Sequence, residues 1–345
     1  MRIIRLGALL TSLCMLFACG GGSNTDSDVG TNNPPPTGNG DSGCAGSCAN
    51  ASSFLTVDDV QKVIAQAVNE ARALSKPATI VVTDRVGNVL GAYRMTGAPP
   101  TQLVNSGRGI VGGLEGIPLP SELTAIAKAL TADYFSSEGN AFTSRTAGQV
   151  AQEHFAPGDI TAPSGPLFGV QFSQLPCSDL SRRFNGIGPD AGPHRSGIGL
   201  AADPGGVPLY KAGVPVGAVG VAADETYGVD TSTADIDRNI DEFIAIAGSY
   251  GFAAPADRRA NQITAGGLSL RYSDVDFSGL TLDPAAAPTF ASLGPETGGV
   301  IPVPLFFTGT IVRGLAFGQV ESGIRPDPVN FPGLDAFVGD DGTGT

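Results

Sequence analysis

The sequence predicts an α/β domain in which two β-hairpins alternate with amphipathic helices. Apolar residues recur at helical spacing in three main segments, and two pairs of β-branched runs are each joined by turn residues. These elements follow the order helix, hairpin, helix, hairpin, helix. The chain also contains 49 glycines and 26 prolines, so long loops are expected around this modest scaffold.

The first helix and the first hairpin have clear boundaries. Thr56 and Asp59 have the spacing of a capping box, and apolar residues repeat at helical spacing from there until Pro77 ends the helix. Two β-branched runs, 78–83 and 89–95, are separated by Asp-Arg-Val-Gly-Asn, whose residues favour a turn. The segment 55–95 therefore predicts a helix followed by a hairpin.

The later elements are predicted from the same signals. A helix is expected over 121–135, a weaker one over 145–155, and a last one over 235–250 with Gly251 as its C-terminal cap. A second hairpin spans 205–221 and turns near residues 211–213, and small residues on its return strand favour close packing. Short strand-like runs occur at 167–175, 268–272 and 303–312.

The acidic residues at the start of the last predicted helix resemble a calcium loop only superficially. Asp235, Asp237, Asn239 and Asp241 alternate as in an EF-hand, but Ile240 stands where that loop requires glycine. We therefore interpret them as the acidic first turns of a helix, where negative charge is stabilising.

The N-terminus has the pattern of a bacterial export signal with a lipid attachment site. Arg2 and Arg5 precede an apolar run that is too short to span a bilayer, and the run ends in Leu-Phe-Ala-Cys19, which resembles a lipobox. The alternative is an ordinary secretory signal with a chance cysteine. We expect residues 1–19 to be a lipoprotein signal peptide, Cys19 to carry lipid, and residues 20–53 to be a disordered Gly/Ser/Pro linker.

Charge and cysteine content exclude several classes of function. The formal net charge is −13, which argues against nucleic-acid binding and against a polybasic membrane patch. A zinc site is not expected, since the chain has two histidines and neither is close in sequence to Cys44 and Cys48. An exported protein can form a disulfide, but the pairing among Cys44, Cys48 and Cys177 stays open.

Five sequence motifs follow the order of the predicted elements. They are Leu-Thr-Val-Asp-Asp-Val from residue 55, the hairpin segment 82–98, Ile-Ala-Lys-Ala-Leu-Thr-Ala from residue 126, the second hairpin, and Asp-Glu-Phe-Ile-Ala from residue 241. Together these motifs resemble the GlcG/HbpS family of haem-binding proteins, which are also described as haem-degrading. The resemblance implies a profilin-like antiparallel sheet flanked by helices over 54–265. A long loop-rich insertion around 137–200 and an irregular extension over 266–345 lie outside the family pattern.

The resemblance also suggests where haem would bind. His194 and His154 are the two candidate iron ligands, with His194 as the metal ligand and Arg195 beside it to pair with a propionate. Lys128 and Thr131 match the family phrase Lys-x-x-Thr-Ala and would hold an acidic group, with Arg94 flanking the same pocket. The alternatives are exposed loop histidines, a snorkelling lysine and a threonine bonded to its own helix.

We therefore expect an exported lipoprotein, anchored in the bacterial envelope through Cys19, that binds haem or a similar small acidic ligand. One alternative is a haem-degrading enzyme, and another is a non-catalytic accessory lipoprotein that docks a partner protein. The family resemblance also allows self-association into a homo-oligomer. No catalytic residue is identified from the sequence.

Overall fold

The computed structural model describes residues 53–109, 111–170, 172 and 197–315, together with the backbone of residues 324–326 and 337–339. The helices are α1 (Val57–Ala73), α2 (Ser121–Phe135), α3 (Ser144–Val150) and α4 (Ile240–Gly248). The strands are β1 (Thr79–Asp84), β2 (Val89–Met95), β3 (Thr101–Asn105), β4 (Pro118–Pro120), β5 (Gly206–Lys211), β6 (Val214–Ala222), β7 (Thr226–Gly228), β8 (Thr264–Ala265), β9 (Leu268–Ser269), β10 (Gly298–Val300), β11 (Ile324–Pro326) and β12 (Phe337–Gly339). Among the described helices, none is long and apolar enough to cross a membrane.

A five-stranded antiparallel sheet of order β10-β2-β1-β6-β5 forms the centre of the domain. The two hairpins meet along β1 and β6, where Val81 lies opposite Gly220. Side chains of β1 alternate between the two faces of the sheet, so that Ile80 and Val82 pack towards α1 and Val81 packs towards α2. The sheet therefore lies between α1 and α4 on one face and α2 on the other, which confirms the predicted fold class of an antiparallel sheet flanked by helices.

Glycines on β5 and β6 let α2 lie very close to the sheet. A Cβ atom added at Gly220 would lie 2.0 Å from the carbonyl oxygen of Ala125, and one added at Gly206 would lie 2.0 Å from that of Lys128. Any side chain at these positions would push the helix away. The small residues predicted to allow close packing therefore do so against α2.

The predicted cap of α1 and the predicted turn of the second hairpin are confirmed. Thr56 and Asp59 form both hydrogen bonds of a capping box at the start of α1. The second hairpin turns at Ala212 and Gly213, which both have positive φ angles, 51° and 76°. Two positive φ angles are typical of a type I′ turn, whose twist matches that of the flanking strands.

Several predicted elements differ from the structure. The helix expected over 145–155 ends at Val150, and the run 303–312 contains only an isolated bridge between Val303 and Phe307. The last helix begins at Ile240 rather than at 235, with Asn239 as its cap, and Ile236 lies before the helix with 78% of its surface exposed. Of the predicted strand over 167–175, residues 167–169 lie in a turn and Phe172 forms a single bridge to Leu200, while residues 171 and 173–175 lie outside the described residues. The acidic residues before α4 do not form helical turns, because an arginine on α3 binds the region of Asp230–Asp237 instead.

The C-terminal extension contributes to the core of the domain. Its β10 pairs with β2 at the edge of the main sheet, and Leu270, Tyr272 and Val275 are buried. A backbone hydrogen bond also joins the N–H of Gly314 to the carbonyl oxygen of Leu55. Residues far along the chain therefore cover the first helix and the first hairpin.

Candidate functional site

Lys128 lies in the interior of the domain and is fully buried. Its Nζ atom is 2.6 Å from Oδ2 of Asp203 and 2.5 Å from Oδ2 of Asp241, and it lies 5.8 Å from the centre of the Tyr227 ring. Asp241 also accepts a hydrogen bond from the backbone N–H of Ala223. The ammonium group thus joins α2 to the start of α4 and to the loop before β5.

One ammonium group cannot neutralise two buried carboxylates. Burial raises the pKa of Asp203 to about 7 and that of Asp241 to about 6, although Lys128 opposes the shift in both cases. Burial alone favours the neutral amine of Lys128, but the attraction of the two carboxylates outweighs it and raises its pKa. Lys128 is therefore charged, and its single positive charge is shared between Asp203 and Asp241.

The other predicted contacts near α2 are also occupied by protein groups. Thr131 donates a hydrogen bond to the carbonyl oxygen of Ala127 at 2.7 Å and accepts one from the N–H of Ala201 at 2.8 Å. Arg94 forms an ion pair with Glu122. The structure thus brings Lys128 and Thr131 one turn apart on α2, and their role in holding a ligand stays a prediction.

His154 lies in an exposed loop beside a small cavity of about 180 Å³. Its Nδ1 atom is 3.1 Å from the carbonyl oxygen of Ala162, which leaves Nε2 available for another contact. The cavity is also lined by Arg108, which pairs with Glu153. This cavity is smaller than the usual site for a drug-sized ligand, which has a volume of about 300–1,000 Å³.

Several predictions fall outside the described residues. They concern His194, Arg195, the lipidated Cys19 and the cysteines 44, 48 and 177. Each of them stays a prediction.

The acidic segment before α4 surrounds a buried arginine. Arg145 of α3 contacts Glu242 at 2.9 Å, Asp230 at 3.0 Å and Asp237 at 3.6 Å. Carboxylate oxygens of Asp230, Asp235 and Asp237 lie within 4.8 Å of one another, which is close enough to share a cation. The guanidinium group of Arg145 already contacts Asp230 and Asp237, so it supplies the positive charge that a bound cation would otherwise provide.

A larger cleft of about 560 Å³ lies between α1 and residues 281–291 of the extension, which we call the strap. The strap is fixed at both ends. At one end the N–H groups of Thr281 and Leu282 donate to the carboxylate of Glu70 at 2.8 and 3.1 Å. At the other end the ring of Phe290 packs edge-on against Tyr93, with ring centres 5.8 Å apart. The cleft lies between these two attachment points.

The cleft combines apolar walls with a few polar side chains. Ala65 on α1 faces Ala287, Pro288 and Phe290 on the strap. Its polar groups include Lys62 and Gln66 on α1 and Tyr250, which follows α4. Such a cleft suits a flat apolar molecule that carries one or two charged or hydrogen-bonding groups.

Gln66 is the polar residue of the cleft with the most unusual environment. Its side chain is buried, with 2% exposure, and its Oε1 atom has no hydrogen-bond partner among the described residues. A buried carbonyl oxygen without a partner is uncommon in proteins and calls for an explanation.

Among the predicted site residues that the structure describes, which are Arg94, Lys128, Thr131 and His154, none lines this cleft. The sequence did contain one signal, since Gln66 falls between Val63 and Ala67 on the face of the helix that packs inward. A polar residue on an apolar stripe indicates a buried polar site. No local pattern brings the strap, more than 200 residues away, to the same place.

Comparison with known proteins agrees with the family resemblance. Residues 55–106 match the family model described as "Haem degrading protein HbpS-like", which confirms the resemblance over α1, the first hairpin and β3. No curated protein matches the sequence significantly. The matched segment includes the α1 side of the cleft, and the strap lies outside it.

Several solved structures resemble the domain at low identity. A complex of PduOC with heme is 17% identical, covering 58% of this chain and 96% of that chain, with a TM-score of 0.34. Klebsiella pneumoniae ORFY, of the family DUF336, is 16% identical over 59% of this chain and 94% of its own, with a TM-score of 0.32. A double mutant of Streptomyces reticuli HbpS is 20% identical over 60% and 92%, with a TM-score of 0.30. These similarities are too distant to transfer the role of any residue.

Proposed function

We propose that this protein binds haem, or a similar flat and acidic small molecule, in the cleft between α1 and the strap. The observation that carries the proposal is a cleft of about 560 Å³ whose α1 wall lies within the segment that matches the HbpS-like family. Its volume is in the usual range for small-molecule sites, and its walls are mainly apolar. The family description supports haem as the ligand class.

Several residues of the cleft fit the chemical needs of haem, while the carboxylate of Asp58 on the α1 wall disfavours a propionate beside it. Lys62 offers a positive charge for a propionate, and the flat apolar side chains of Pro288 and Phe290 suit the faces of a porphyrin ring. Tyr250 supplies a phenol, and tyrosine is an established ligand of haem iron in other proteins. Bound haem would supply a redox-active iron, while these residues would bind and orient it. His154 and His194 remain the alternative iron ligands.

Haemin titration of the purified protein tests the proposal. We expect a shift of the Soret absorption band at micromolar haemin, and Ala287→Phe should weaken binding because its new side chain fills the cleft. Ala286→Phe is a matched control, because the adjacent alanine is exposed and does not line the cleft. If both variants bind haemin like the wild type, the ligand site is elsewhere.

Three further substitutions identify the iron ligand. Tyr250→Phe, His154→Ala and His194→Ala each remove one candidate, and loss of the ligand should change the shape and position of the Soret band as well as the affinity. Tyr134→Phe controls for the loss of a phenol outside the cleft. A spectrum altered by one histidine variant alone would place the iron away from Tyr250.

Haem breakdown is the second candidate function, and the description of the matching family favours it. With a reductant and oxygen, a degrading enzyme bleaches the Soret band over successive turnovers. A protein that only binds haem keeps the band. The same preparation therefore distinguishes binding from catalysis.

We also propose that the domain is held at the bacterial envelope by lipid on Cys19, with residues 20–53 as the tether. The pattern of charges and apolar residues before Cys19 supports this location. Several acyl chains would make a stable anchor, because each buried CH₂ group contributes about 0.8 kcal/mol. Self-association of the domain stays a prediction.

A further inference from the structure

The buried cluster around Lys128 holds an amine and a carboxyl group in contact, away from water. Lys128 Nζ is 2.5 Å from Oδ2 of Asp241, and both side chains have 0% exposure. Because Cγ of Asp241 is one bond beyond Oδ2, Nζ lies near the separation of about 3–3.5 Å from which a nucleophile attacks. An amine and a carboxyl group held in this way are positioned to condense to an amide.

Burial favours this condensation over the ion pair. In water, an ammonium group and a carboxylate are both strongly solvated, and this solvation stabilises the two separate ions. In the interior of the domain the ions lose that solvation, whereas an amide and a released water molecule carry no charge. The same pair of groups therefore has a stronger tendency to form an amide here than on the surface.

The neighbours of the pair supply the groups that such a reaction needs. Oδ2 of Asp203 is 2.6 Å from the same Nζ atom, so it is placed to accept a proton from the ammonium group. Burial raises the pKa of Asp203 to about 7, which suits a group that takes up and releases a proton near neutral pH. The backbone N–H of Ala223 donates to Oδ1 of Asp241 at 2.7 Å, where negative charge develops during attack on the carboxyl group.

We propose that Lys128 and Asp241 form an intramolecular isopeptide bond, with Asp203 as the proton relay. The ammonium group of Lys128 passes one proton to Asp203, and the free electron pair on Nζ attacks Cγ of Asp241. The Nζ–Cγ bond forms and the Cγ–Oδ2 bond breaks, and Oδ2 leaves as water with one proton from Asp203 and one from Nζ. One ammonium group and one carboxylate thus become one amide and one water molecule, so the reaction requires no oxidant and no further reactant.

The ion pair is the starting state of this reaction, and the bond forms slowly from it. Burial lowers the pKa of Lys128, but the attraction of the carboxylates outweighs burial and raises it, so the nucleophilic neutral amine is rare. Freshly made protein therefore contains the ion pair, and the cross-linked form accumulates as the folded protein ages. The bond then joins α2 to α4 between positions 113 residues apart.

Tryptic mass spectrometry of the full-length protein tests the proposal. Trypsin cuts after a free Lys128 but not after the acylated side chain, so the cross-linked product is segment 109–145 joined to segment 239–258, lighter by one water molecule. We expect this joined peptide to increase while the folded protein is incubated for several days at neutral pH, and not to form in protein kept unfolded in urea. A product joined to segment 196–211, which contains the other aspartate, would overturn the choice of acceptor.

A second lysine–aspartate pair in the same chain is the matched control. Lys211 Nζ is 2.8 Å from Oδ2 of Asp59, but these two side chains are 33% and 20% exposed. Because both ions keep part of their solvation, trypsin should cut after Lys211 as completely in aged protein as in fresh protein. A cross-link that forms equally at both lysines would show that burial does not drive the reaction, and this would overturn the inference.

Two substitutions separate the acceptor from the proton relay. Asp241→Ala removes the acceptor and should abolish the joined peptide. Asp203→Ala keeps the acceptor but should slow formation of the bond about 100-fold or more, because a positioned acid–base group contributes about 10²–10⁴-fold. An unchanged rate in folded Asp203→Ala, checked by circular dichroism, would rule out the relay. If Lys128 of the folded wild type stays fully cleavable throughout the incubation, the proposal is wrong whatever the variants do.

Discussion

The buried lysine at the centre of the domain gives the sharpest test of the structure. Lys128→Met removes the cation that lies 2.6 Å from Asp203 and 2.5 Å from Asp241, and leaves two buried carboxylates without a counter-charge. Removing one partner of a buried ion pair typically costs about 3–5 kcal/mol. A domain of ordinary stability has about 5–15 kcal/mol in total, so this loss is a large fraction of it.

Urea unfolding at pH 7 measures this loss. Lys76→Met is the control, because Lys76 is exposed and its removal should change the free energy of unfolding by less than about 0.5 kcal/mol. Adding Asp203→Asn and Asp241→Asn to Lys128→Met should recover much of the stability, since the unpaired charges then disappear.

The pH dependence of the same variant provides a further check. The Lys128→Met protein should lose less stability at pH 5 than at pH 7, because its two carboxylates then bind protons. A loss of less than about 1 kcal/mol at pH 7, with no recovery in the triple variant, would refute the assignment of Lys128 as a buried ion-pair partner.

Three further predictions use other features of the molecule. Because folding raises the pKa of Asp203 to about 7, this carboxyl stabilises the fold at low pH, and that stability is lost as the pH rises from about 4 to 7. In urea unfolding, Asp203→Asn should make the free energy of unfolding less dependent on pH over this range. An unchanged slope would contradict the raised pKa of Asp203. Tyr93→Phe keeps the ring that packs on Phe290 but removes a buried hydroxyl that has no hydrogen-bond partner among the described residues. The free energy of unfolding should therefore stay the same or rise by about 1 kcal/mol. A loss of that size in thermal unfolding would contradict this prediction. Cys19→Ser should move the protein from the membrane fraction to the soluble fraction and remove the acyl mass from its mass spectrum, and continued membrane attachment would rule out this anchor.

The helices and hairpins were largely predictable because their signals are local. The structure has α2 over Ser121–Phe135, as predicted, and both hairpins turn where glycine and other turn residues indicate. Apolar periodicity and turn chemistry act within a few residues, so the sequence contains them directly.

The environment of Lys128 was not predictable from local sequence. One of its partners, Asp241, is 113 residues away along the chain, and an isolated lysine on a helix usually extends to solvent. The late start of α4 has a similar cause, since Arg145 on α3 attracts the acidic residues that would otherwise favour the first helical turn. In both cases a distant charge outweighs the local preference.

The cleft was missed for a related reason. Its α1 wall is visible in the sequence as an amphipathic helix, but its other wall is a run of alanine and proline with no periodic pattern. The two walls meet through contacts between distant parts of the chain, such as the bonds between Glu70 and the strap, which are 211 and 212 residues apart.

This long separation in sequence affects how the cleft is formed during synthesis. Synthesis proceeds from the N-terminus, so α1 leaves the ribosome long before residues 281–291, and contacts between such distant segments form slowly because a large loop must close first. Until the strap arrives, the outer face of α1 is uncovered and Glu70 has no backbone donors from it. A nascent chain, or a product cut by a protease before residue 281, would keep the helix of the family pattern but lack one wall of the cleft, so the proposed ligand site forms only after residues 281–291 have been synthesised.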